Sequence, residues 1–268
     1  MPNKMNSEDK ILTARLDDKI RLCSENSMIT SSSFLDMRER SVAINHRTGF
    51  DDVRVVFYGG FEDAERTVAV MLPYFIEADS SETLHEYFTE NPESCPISII
   101  GIKKDRFSPT LSHRDYLGAL MGLGIKREVT GDIKVTDDGC QIAVLSSIAS
   151  FITENMSKAG RGTLQARIIP LSLIGKSENS NGTDESFTVS SMRLDSVVKN
   201  AFNLSRGSAV QAIEGGLVYV NDSECQKSDK KISEGDKIVL RKKGRIIVSD
   251  CSSTSKKGRI IVKIKKFA

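Results

Sequence analysis

The sequence contains no tryptophan, three histidines and five cysteines among its 268 residues. The cysteines are scattered, odd in number and without a CxxC pair, so we expect reduced thiols rather than a disulfide framework. They are Cys23, Cys95, Cys140, Cys225 and Cys251. His46 and His85 have no metal-ligand partners at suitable spacing. The sequence therefore predicts a protein with no metal and no other cofactor.

Long apolar runs are also absent. No stretch approaches the ~20 apolar residues that a membrane-spanning helix needs. The polar N-terminus lacks the apolar core of a secretion signal. No coiled-coil heptad demands a partner copy. We therefore expect a cytoplasmic monomer that does not contact membranes.

Signatures of catalysis are missing as well. There is no phosphate-binding GxxxxGK[ST] motif. A methyltransferase needs a glycine-rich cofactor loop after a strand, but Gly59-Gly60 is too short for such a loop and Gly122-Leu123-Gly124 follows a predicted helix. His113 and Asp115 could serve acid–base chemistry, but with Ser112 they form a helix-capping pattern. We expect no enzyme and no small-molecule substrate. An RNA-modifying enzyme of the pseudouridine synthase or methyltransferase type, with an unrecognised site, is the alternative.

Charge is distributed unevenly along the chain. The net charge is only +2, but residues 187–268 hold 17 basic and 8 acidic side chains, a net of +9. The remainder holds 21 basic and 28 acidic side chains, a net of −7. This asymmetry predicts a basic binding module attached to acidic domains. A solvated charged surface is the alternative for such a module taken alone.

The first 90 residues predict an N-terminal α/β domain. Apolar residues at helical spacing indicate a helix over 7–26, with Ser7 as its N-cap, and a second over 33–45. Residues 53–61 read as a strand that ends at a double glycine, and 62–73 as a segment that begins helical and ends as a strand. The Pro-, Ser- and Glu-rich stretch 77–96 is a candidate boundary.

Residues 91–174 predict a second domain with the order β-α-β-β-α-β. The strands are expected at 97–103, 132–136, 141–145 and 164–169, and the helices at 113–122 and 147–158. This ferredoxin-like order is also that of RNA-recognition-motif (RRM) domains. The aromatic-rich sheet motif that stacks bases is missing, which favours a scaffold over an RNA-binding sheet. Residues 175–186, polar and rich in Ser, Asn and Gly, predict a linker.

Residues 187–268 predict two short amphipathic helices followed by strands. Arg193 opens the first helix and Lys199 lies on its polar side; Ser205 can cap the second helix, and Arg206 lies in its first turn. Unpaired N–H groups at such a helix start favour phosphate. An ordinary surface arginine, or an ion pair with Asp195, is the alternative for Arg206.

Two further basic segments are candidate secondary RNA contacts. The sequence KGRIIV occurs at 243–248 and again at 257–262, which predicts a terminal β-hairpin with Arg241, Lys242, Lys243 and Arg245 at its base. Lys126-Arg127 forms a basic turn after Gly124. Each segment can equally be a solvated surface.

The C-terminal segment resembles the RNA-binding domain named after ribosomal small-subunit protein S-four. The resemblance rests on Arg193-Leu194-Asp195, Ser205-Arg206, Val220-Asn221 and Gly235-Asp236 in this order and spacing. Asn221-Asp222 replaces the Asn-Gly that often follows the strand in that family. The resemblance implies RNA-binding roles for a larger set of side chains: Arg193, Lys199, Ser205, Arg206, Ser208, Gln211, Asn221 and Lys227.

The whole chain resembles the YlmH-type family of bacterial RNA-binding proteins. The blocks that carry the resemblance are FLDMRE (34–39), YGGFEDAER (58–66), HRDYLGALMGLGIKREVTGDI (113–133) and the C-terminal domain. This implies an α+β protein with an N-terminal α/β region, an RRM-like middle domain and a C-terminal S-four-type domain. It also implies binding to the large ribosomal subunit, through ribosomal RNA, peptidyl-tRNA or both, in rescue of stalled translation. A cell-division-linked interaction role is the alternative that the same family implies.

Overall fold

The computed structural model describes residues 6–46, 50, 52–62, 64–105, 108–174 and 182–267. The chain forms two compact units, residues 1–176 and 177–268. The predicted boundary between residues 90 and 91 lies inside the first unit, because both predicted N-terminal domains contribute to one apolar core. Within the described residues no helix is long and apolar enough to cross a membrane.

The first unit combines helices with two antiparallel sheets. Its helices are α1 (Ser7–Asn26), α2 (Met37–Asn45), α3 (Ser81–Glu90), α4 (His113–Gly122) and α5 (Ala149–Asn155). Its strands are β1 (Thr30–Ser31), β2 (Val53–Tyr58), β3 (Val68–Pro73), β4 (Ile97–Lys104), β5 (Thr130–Thr136), β6 (Gly139–Leu145), β7 (Lys158–Ala159) and β8 (Gly162–Ile169).

The N-terminal helices begin at acidic or amide caps. Asn6, not the predicted Ser7, caps α1, because its side chain accepts a hydrogen bond from Asp9 N at 2.7 Å. The predicted helix over 33–45 starts only at Met37. Asp36 forms a capping box there, and the preceding Leu35 is extended and bridges to Thr67.

The three-stranded sheet has the order β1-β3-β2, and its central strand is buried on both faces. Val68, Val70 and Leu72 belong to one apolar cluster, and Ala69 and Met71 to another that includes α1. The helical start predicted for 62–73 is wrong for the described residues. The backbone N–H groups of Glu65 and Arg66 instead donate to the Asp132 carboxylate at 2.6 and 3.2 Å.

Helix α3 lies within the stretch that the sequence suggests only as a boundary. Its polar composition conceals the pattern, since Leu84 and Phe88, four residues apart, are its fully buried apolar side chains. Both join the core that packs on the second sheet. The helix is therefore part of the packed unit.

The five-stranded sheet has the order β5-β6-β4-β8-β7 and confirms the predicted β-α-β-β-α-β domain. Asp137 and Asp138 form the predicted turn between β5 and β6. Ser146–Ile148 form a short 3-10 turn, so α5 is shorter than the predicted helix.

Both faces of the central strand β4 are largely buried. Ile100 and Ile102 of β4 pack with α4 and α5 on one face. Ile97 and Ile99 pack on the other face with Phe34, Tyr58 and elements of the N-terminal half. A side chain at Gly131 would collide with the ring of Phe34. The N-terminal half therefore covers the central β4–β6 region, whose exposed face stacks bases in RNA-recognition domains.

The second unit packs two helices on one antiparallel sheet. Its helices are α6 (Leu194–Ala201) and α7 (Arg206–Glu214). Its strands are β9 (Thr183–Val189), β10 (Val218–Val220), β11 (Ser223–Glu224), β12 (Lys237–Leu240), β13 (Gly244–Asp250) and β14 (Ile260–Phe267). The strand order is β11-β10-β12-β13-β14-β9, and residues of both helices share its core.

Two predictions for this unit need correction. Residues 175–181 of the predicted linker lie outside the described residues, but 183–186 are paired with β14 in β9, so the linker prediction extends too far. The terminal hairpin forms with a different register. Arg245 pairs with Phe267, and Ile260–Val262 of the second KGRIIV copy pair with β9, which buries Val262 in the core.

The Asn221-Asp222 turn forms as predicted. Both residues have positive φ, 50° and 64°, which is the geometry of a two-residue hairpin turn. It joins β10 to β11, with Val220 paired to Ser223. Asn-Asp thus replaces Asn-Gly without changing the connection.

Candidate nucleic-acid interface

The start of α6 is held by the segment that precedes β12. Leu194 N donates to Lys230 O and Asp195 N donates to Ser228 O, both at 2.9 Å. The backbones of Arg193 and Lys231 also form an isolated antiparallel β-bridge. These bonds satisfy N–H groups that a helix start otherwise leaves unpaired. Arg193 is the N-cap residue of α6, so it lies at the helix start where the sequence predicts it.

A buried carboxylate joins the two central arginines. Asp195 is 2% exposed and accepts hydrogen bonds from Arg193 Nε at 3.1 Å and Ser196 N at 2.9 Å. Arg206 Nη2 lies 3.6 Å from its second oxygen. The ion pair considered as an alternative for Arg206 therefore exists. The Arg206 side chain is nevertheless 74% exposed, so the pair orients this guanidinium and leaves it accessible.

Ser205 caps α7 as the sequence predicts. Its hydroxyl accepts a hydrogen bond from Ser208 N at 3.1 Å and lies 2.8 Å from the Ser208 hydroxyl. Both side chains are exposed at the helix start, next to Arg206. The cap fixes the first turn of α7, which is the part of the helix that attracts anions.

The other predicted RNA-binding residues of this unit are of two kinds: exposed side chains, and a side chain that is hydrogen-bonded within the fold. Lys199, Gln211 and Lys227 are exposed, and neither lysine has an ion-pair partner among the described residues. Asn221 is engaged in its turn: Nδ2 donates to Asp236 at 2.8 Å and Oδ1 accepts from Lys237 N at 2.9 Å. Asn221 thus stabilises its turn, and because the residue is also exposed, its contact with RNA stays a prediction.

Lys230 and Lys231 are absent from the set predicted by resemblance. Both are exposed, and the backbone of their segment is bonded to the start of α6. The signal that could have identified them is the basic run of residues 227–231, which contains three lysines. Sequence separation from Arg193 conceals their proximity to it.

Arg241, Lys242 and Lys243 form the exposed turn between β12 and β13. Arg241 N donates to Leu217 O at 2.9 Å, so this turn lies near the C-terminal end of α7, about 12 Å along the helix from Arg206. Arg245 differs from these residues because it is half-buried, with its guanidinium 4.3 Å from the Phe267 ring centroid.

Several lysines of the sheet are paired with carboxylates. Nζ–oxygen distances are 2.7 Å for Lys237–Asp222, 3.0 Å for Lys263–Asp250 and 3.3 Å for Lys266–Glu185. Hydrogen bonds from Ser252, followed by the contact with Lys263, hold the pKa of Asp250 below its ordinary value. The unpaired cations are thus concentrated at the helices and turns rather than on the sheet.

The first unit places the other predicted residues differently. Lys126 is exposed, whereas Arg127 is half-buried and its Nη1 donates to Gly131 O at 3.2 Å. Asp115 accepts hydrogen bonds from the backbone and hydroxyl of Ser112, which lower its pKa and confirm the capping role. No cluster of His, Cys, Asp and Glu suited to a metal ion occurs in the part of the chain that the structure describes.

Comparisons with known proteins agree with this arrangement. The chain matches the family described as "Putative RNA-binding domain in YlmH" over residues 92–172 and the one described as "S4 domain" over residues 192–238. It is 30% identical over 243 residues to "Ribosome-associated protein quality control protein P2" of Bacillus subtilis (strain 168), covering 89% of this chain and 88% of that protein. "Cell division protein ylmH from Streptococcus pneumoniae" is similar with a TM-score of 0.46 and 18% identity, over 64% of this chain and 97% of that chain. With the two domain matches in this order, and with 30% identity to the Bacillus subtilis protein over most of both chains, the chain belongs to the YlmH-type family of RNA-binding proteins.

Proposed function

We propose that this protein binds structured RNA of the ribosome through its C-terminal unit, without catalysing a reaction, in quality control of stalled translation. The observation that carries the proposal is the pair of accessible arginines, Arg193 and Arg206, held by the buried Asp195. Arginines so oriented can bind phosphate oxygens with little loss of side-chain freedom. Unpaired lysines around the helix starts add the long-range attraction on which RNA binding depends.

The relative from Bacillus subtilis supports the ribosome as the site of action, since its name describes a ribosome-associated quality control protein. We propose that the large subunit is the target, through ribosomal RNA, peptidyl-tRNA or both. A monomer in the cytoplasm is the form that we expect to act there. The exposed surface formed by Arg193, Arg206, Lys199, Lys227 and Lys230 is the expected contact.

The central test is co-sedimentation with purified large ribosomal subunits on sucrose gradients. Arg206→Ala removes the displayed charge without placing a second carboxylate near Asp195. We expect its affinity to fall about tenfold, the scale of one charge-assisted phosphate contact. Arg21→Ala is the matched control, because Arg21 is also exposed and ion-paired, to Asp18, but lies in the first unit. Equal sedimentation of Arg206→Ala and the parent would show that the proposed surface is wrong.

The absence of catalysis has a separate test. Ribosomal RNA from cells with and without the protein would be digested to nucleosides and compared by mass spectrometry. We expect no modified nucleoside to depend on the protein. A modification that disappears with the protein would replace the binding function by an RNA-modifying enzyme.

A further inference from the structure

The first unit contains a cleft with a volume of about 720 Å³ between α1, the segment 32–39 and the turn 126–128. We call it the N-terminal cleft. It brings together residues from the sequence blocks 34–39, 58–66 and 113–133, which are far apart in the chain. Its volume lies within the range of roughly 300–1,000 Å³ that is usual for small-ligand sites.

Hydrogen bonds between its walls fix the shape of this cleft. Phe34 N donates to Glu128 O at 2.8 Å. The Arg66 guanidinium donates from Nη2 to Phe34 O at 3.2 Å and to Arg127 O at 3.1 Å, and from Nε to Thr130 O at 3.0 Å. One side chain thus ties the segment 32–39 to the turn 126–128. A cleft held in this way needs little ordering when a ligand enters.

Most carboxylates of the cleft are already engaged. Asp36 and Glu39 cap α2 reciprocally. Asp9 accepts from Arg38 Nη2 at 2.6 Å, and Asp18 is paired with Arg21. Among the described residues, Glu8 and Glu128 are the lining carboxylates whose side chains have neither a hydrogen bond nor an ion pair.

The lining is balanced in formal charge, with six basic and six acidic side chains, but fewer of its cations than of its carboxylates are engaged by ion pairs or helix caps. The lining cations with no ion-pair partner in the described part of the chain are Arg15, Lys19, Arg66, Lys126 and Arg127. Burial, and then the neighbouring positive charge of Arg66, lower the pKa of Arg127. The two guanidinium groups repel each other at the wall of the cleft, and the nearby Asp132 carboxylate opposes this effect on the Arg127 pKa only in part. A bound anion would relieve this repulsion.

The cleft also has an apolar wall. Ile11 of α1 is 54% exposed and Leu12 is half-buried beside it, while Phe34 and Leu35 are buried behind them. Inorganic phosphate would use only the cations. A ligand that joins an anion to a flat, weakly polar ring would use both kinds of surface.

We propose that the N-terminal cleft binds a nucleoside phosphate, either as a free nucleotide or as an unpaired nucleotide of a bound RNA. Lys126, Arg127 and Arg15 bind the phosphate, and Ile11 and Leu12 contact the base. The site is separate from the C-terminal surface and does not depend on the function proposed for that surface.

The test uses the full chain carrying Arg206→Ala, which weakens the C-terminal surface and leaves the cleft intact. A fluorescently labelled five-nucleotide oligoadenylate is titrated by anisotropy, with adenosine 5′-monophosphate and inorganic phosphate as competitors. We expect Arg15→Glu and Lys126→Glu, on opposite walls, each to weaken binding about tenfold. Lys10→Glu is the matched control, because Lys10 is exposed on the same helix but does not line the cleft and has no ion-pair partner among the described residues. Circular dichroism would verify that every variant is folded.

The outcomes separate the two sources of the ligand. Competition by the free mononucleotide identifies a nucleotide site, and binding of the oligonucleotide alone identifies an RNA contact. The proposal is overturned if neither probe binds more tightly than about 1 mM, or if both cleft variants bind like the parent. Binding of an aspartate-rich peptide in place of both probes would also overturn it. The two proposals can fail separately. Ribosome binding by Arg206→Ala tests the C-terminal surface, and binding of the two probes tests the cleft.

Discussion

The five-stranded sheet of the first unit and the helix pair of the second use their residues in opposite ways. In the sheet, Ile99 and Ile100 are neighbours on opposite faces, and both are 0% exposed. In the helix pair, α6 and α7 bury one apolar face each and leave Arg206 largely accessible. The sheet has the topology of an RNA-binding domain, but the N-terminal half covers its central strand at Ile97 and Ile99. The short helices present cations instead.

This difference shows that topology alone does not locate a binding surface. An RRM-like sheet becomes a structural core once another part of the chain covers it, and Phe34 and Tyr58 do so here. The arginines also differ in whether they stabilise the fold or stay accessible to a ligand. Arg66 donates to three backbone carbonyls within the fold, whereas Arg206 is oriented by one buried carboxylate and stays accessible. Accessible donors, rather than the order of strands, identify the candidate surface.

The strongest test of the covered face is a charge placed in it. Ile99→Lys buries an ammonium without a partner, so we expect the free energy of unfolding to fall by about 3–5 kcal/mol. Chemical denaturation followed by circular dichroism measures this change. Ile168→Lys is the control, because Ile168 lies in the same sheet but is 48% exposed, and it should change stability little. Equal stabilities of the two variants would mean that the face is open.

The next effect concerns the carboxylate beneath the two arginines. Asp195→Ala removes the acceptor of Arg193 and Ser196, and we expect a loss of about 1–3 kcal/mol in stability. RNA affinity should also fall, by about tenfold, because neither arginine is then oriented. Asp229→Ala, which removes an exposed carboxylate of the same unit, should preserve both quantities. Filter binding with ribosomal RNA would contradict the role of Asp195 if the two variants bound equally.

A smaller effect, on the salt dependence of RNA affinity, should distinguish exposed lysines without an ion pair from lysines paired with a carboxylate. Lys243→Gln removes a cation from the exposed turn between β12 and β13, so the slope of log affinity against log salt should decrease by about one. Lys263→Gln removes a lysine that is already paired with Asp250, and its slope should change less. Titrations of RNA at several salt concentrations give both slopes. Identical changes would mean that the ion pair opens when RNA binds.

The smallest effect is a pH dependence in the layer that covers the sheet. His85 Nδ1 lies 2.8 Å from the Tyr58 hydroxyl, and burial lowers the His85 pKa, an effect that Glu86 only partly opposes. In the unfolded chain His85 has the ordinary histidine pKa of about 6.5, so it binds a proton more readily there than in the folded chain. The stability that neutral His85 supports is present above that pH and is lost as the pH falls below it.

His85→Asn isolates this contribution. Unfolding by denaturant would be measured for the parent and the variant at about pH 7.5, 6 and 5. We expect the difference in stability between the two proteins to shrink as the pH falls. A constant difference would show that His85 has the same pKa in the folded and unfolded states.

Local patterns in the sequence predict much of this structure. The β-α-β-β-α-β order, the Ser205 cap and the Asn221-Asp222 turn each depend on residues close together in the chain, and each is confirmed. Helix α3 escapes prediction because only two of its apolar side chains, Leu84 and Phe88, are fully buried. The covered sheet escapes prediction because it depends on Phe34 meeting Gly131, about a hundred residues away.

The candidate surface shows the same limit. The arginines of the helix starts follow from sequence motifs, but the contact of Arg206 with Asp195 is only one of the possibilities that the sequence leaves open. The engagement of Asn221 with Asp236 and the position of Lys230 beside α6 depend on tertiary contacts. The contact of the predicted surface residues with RNA stays a prediction. The register of the last two strands depends on β9, which the sequence assigns in part to a linker.

Strand β9 has a consequence for the order in which the second unit is built during synthesis. In the described sheet it lies at the edge and pairs with β14 alone. The ribosome therefore makes the first strand of this unit long before its only neighbour exists, and the helices between them are completed in the meantime. The helices can form early from local contacts, but the sheet closes only when residues 260–266 emerge. The nascent unit thus keeps the edge of β9 unpaired until β14 has been made.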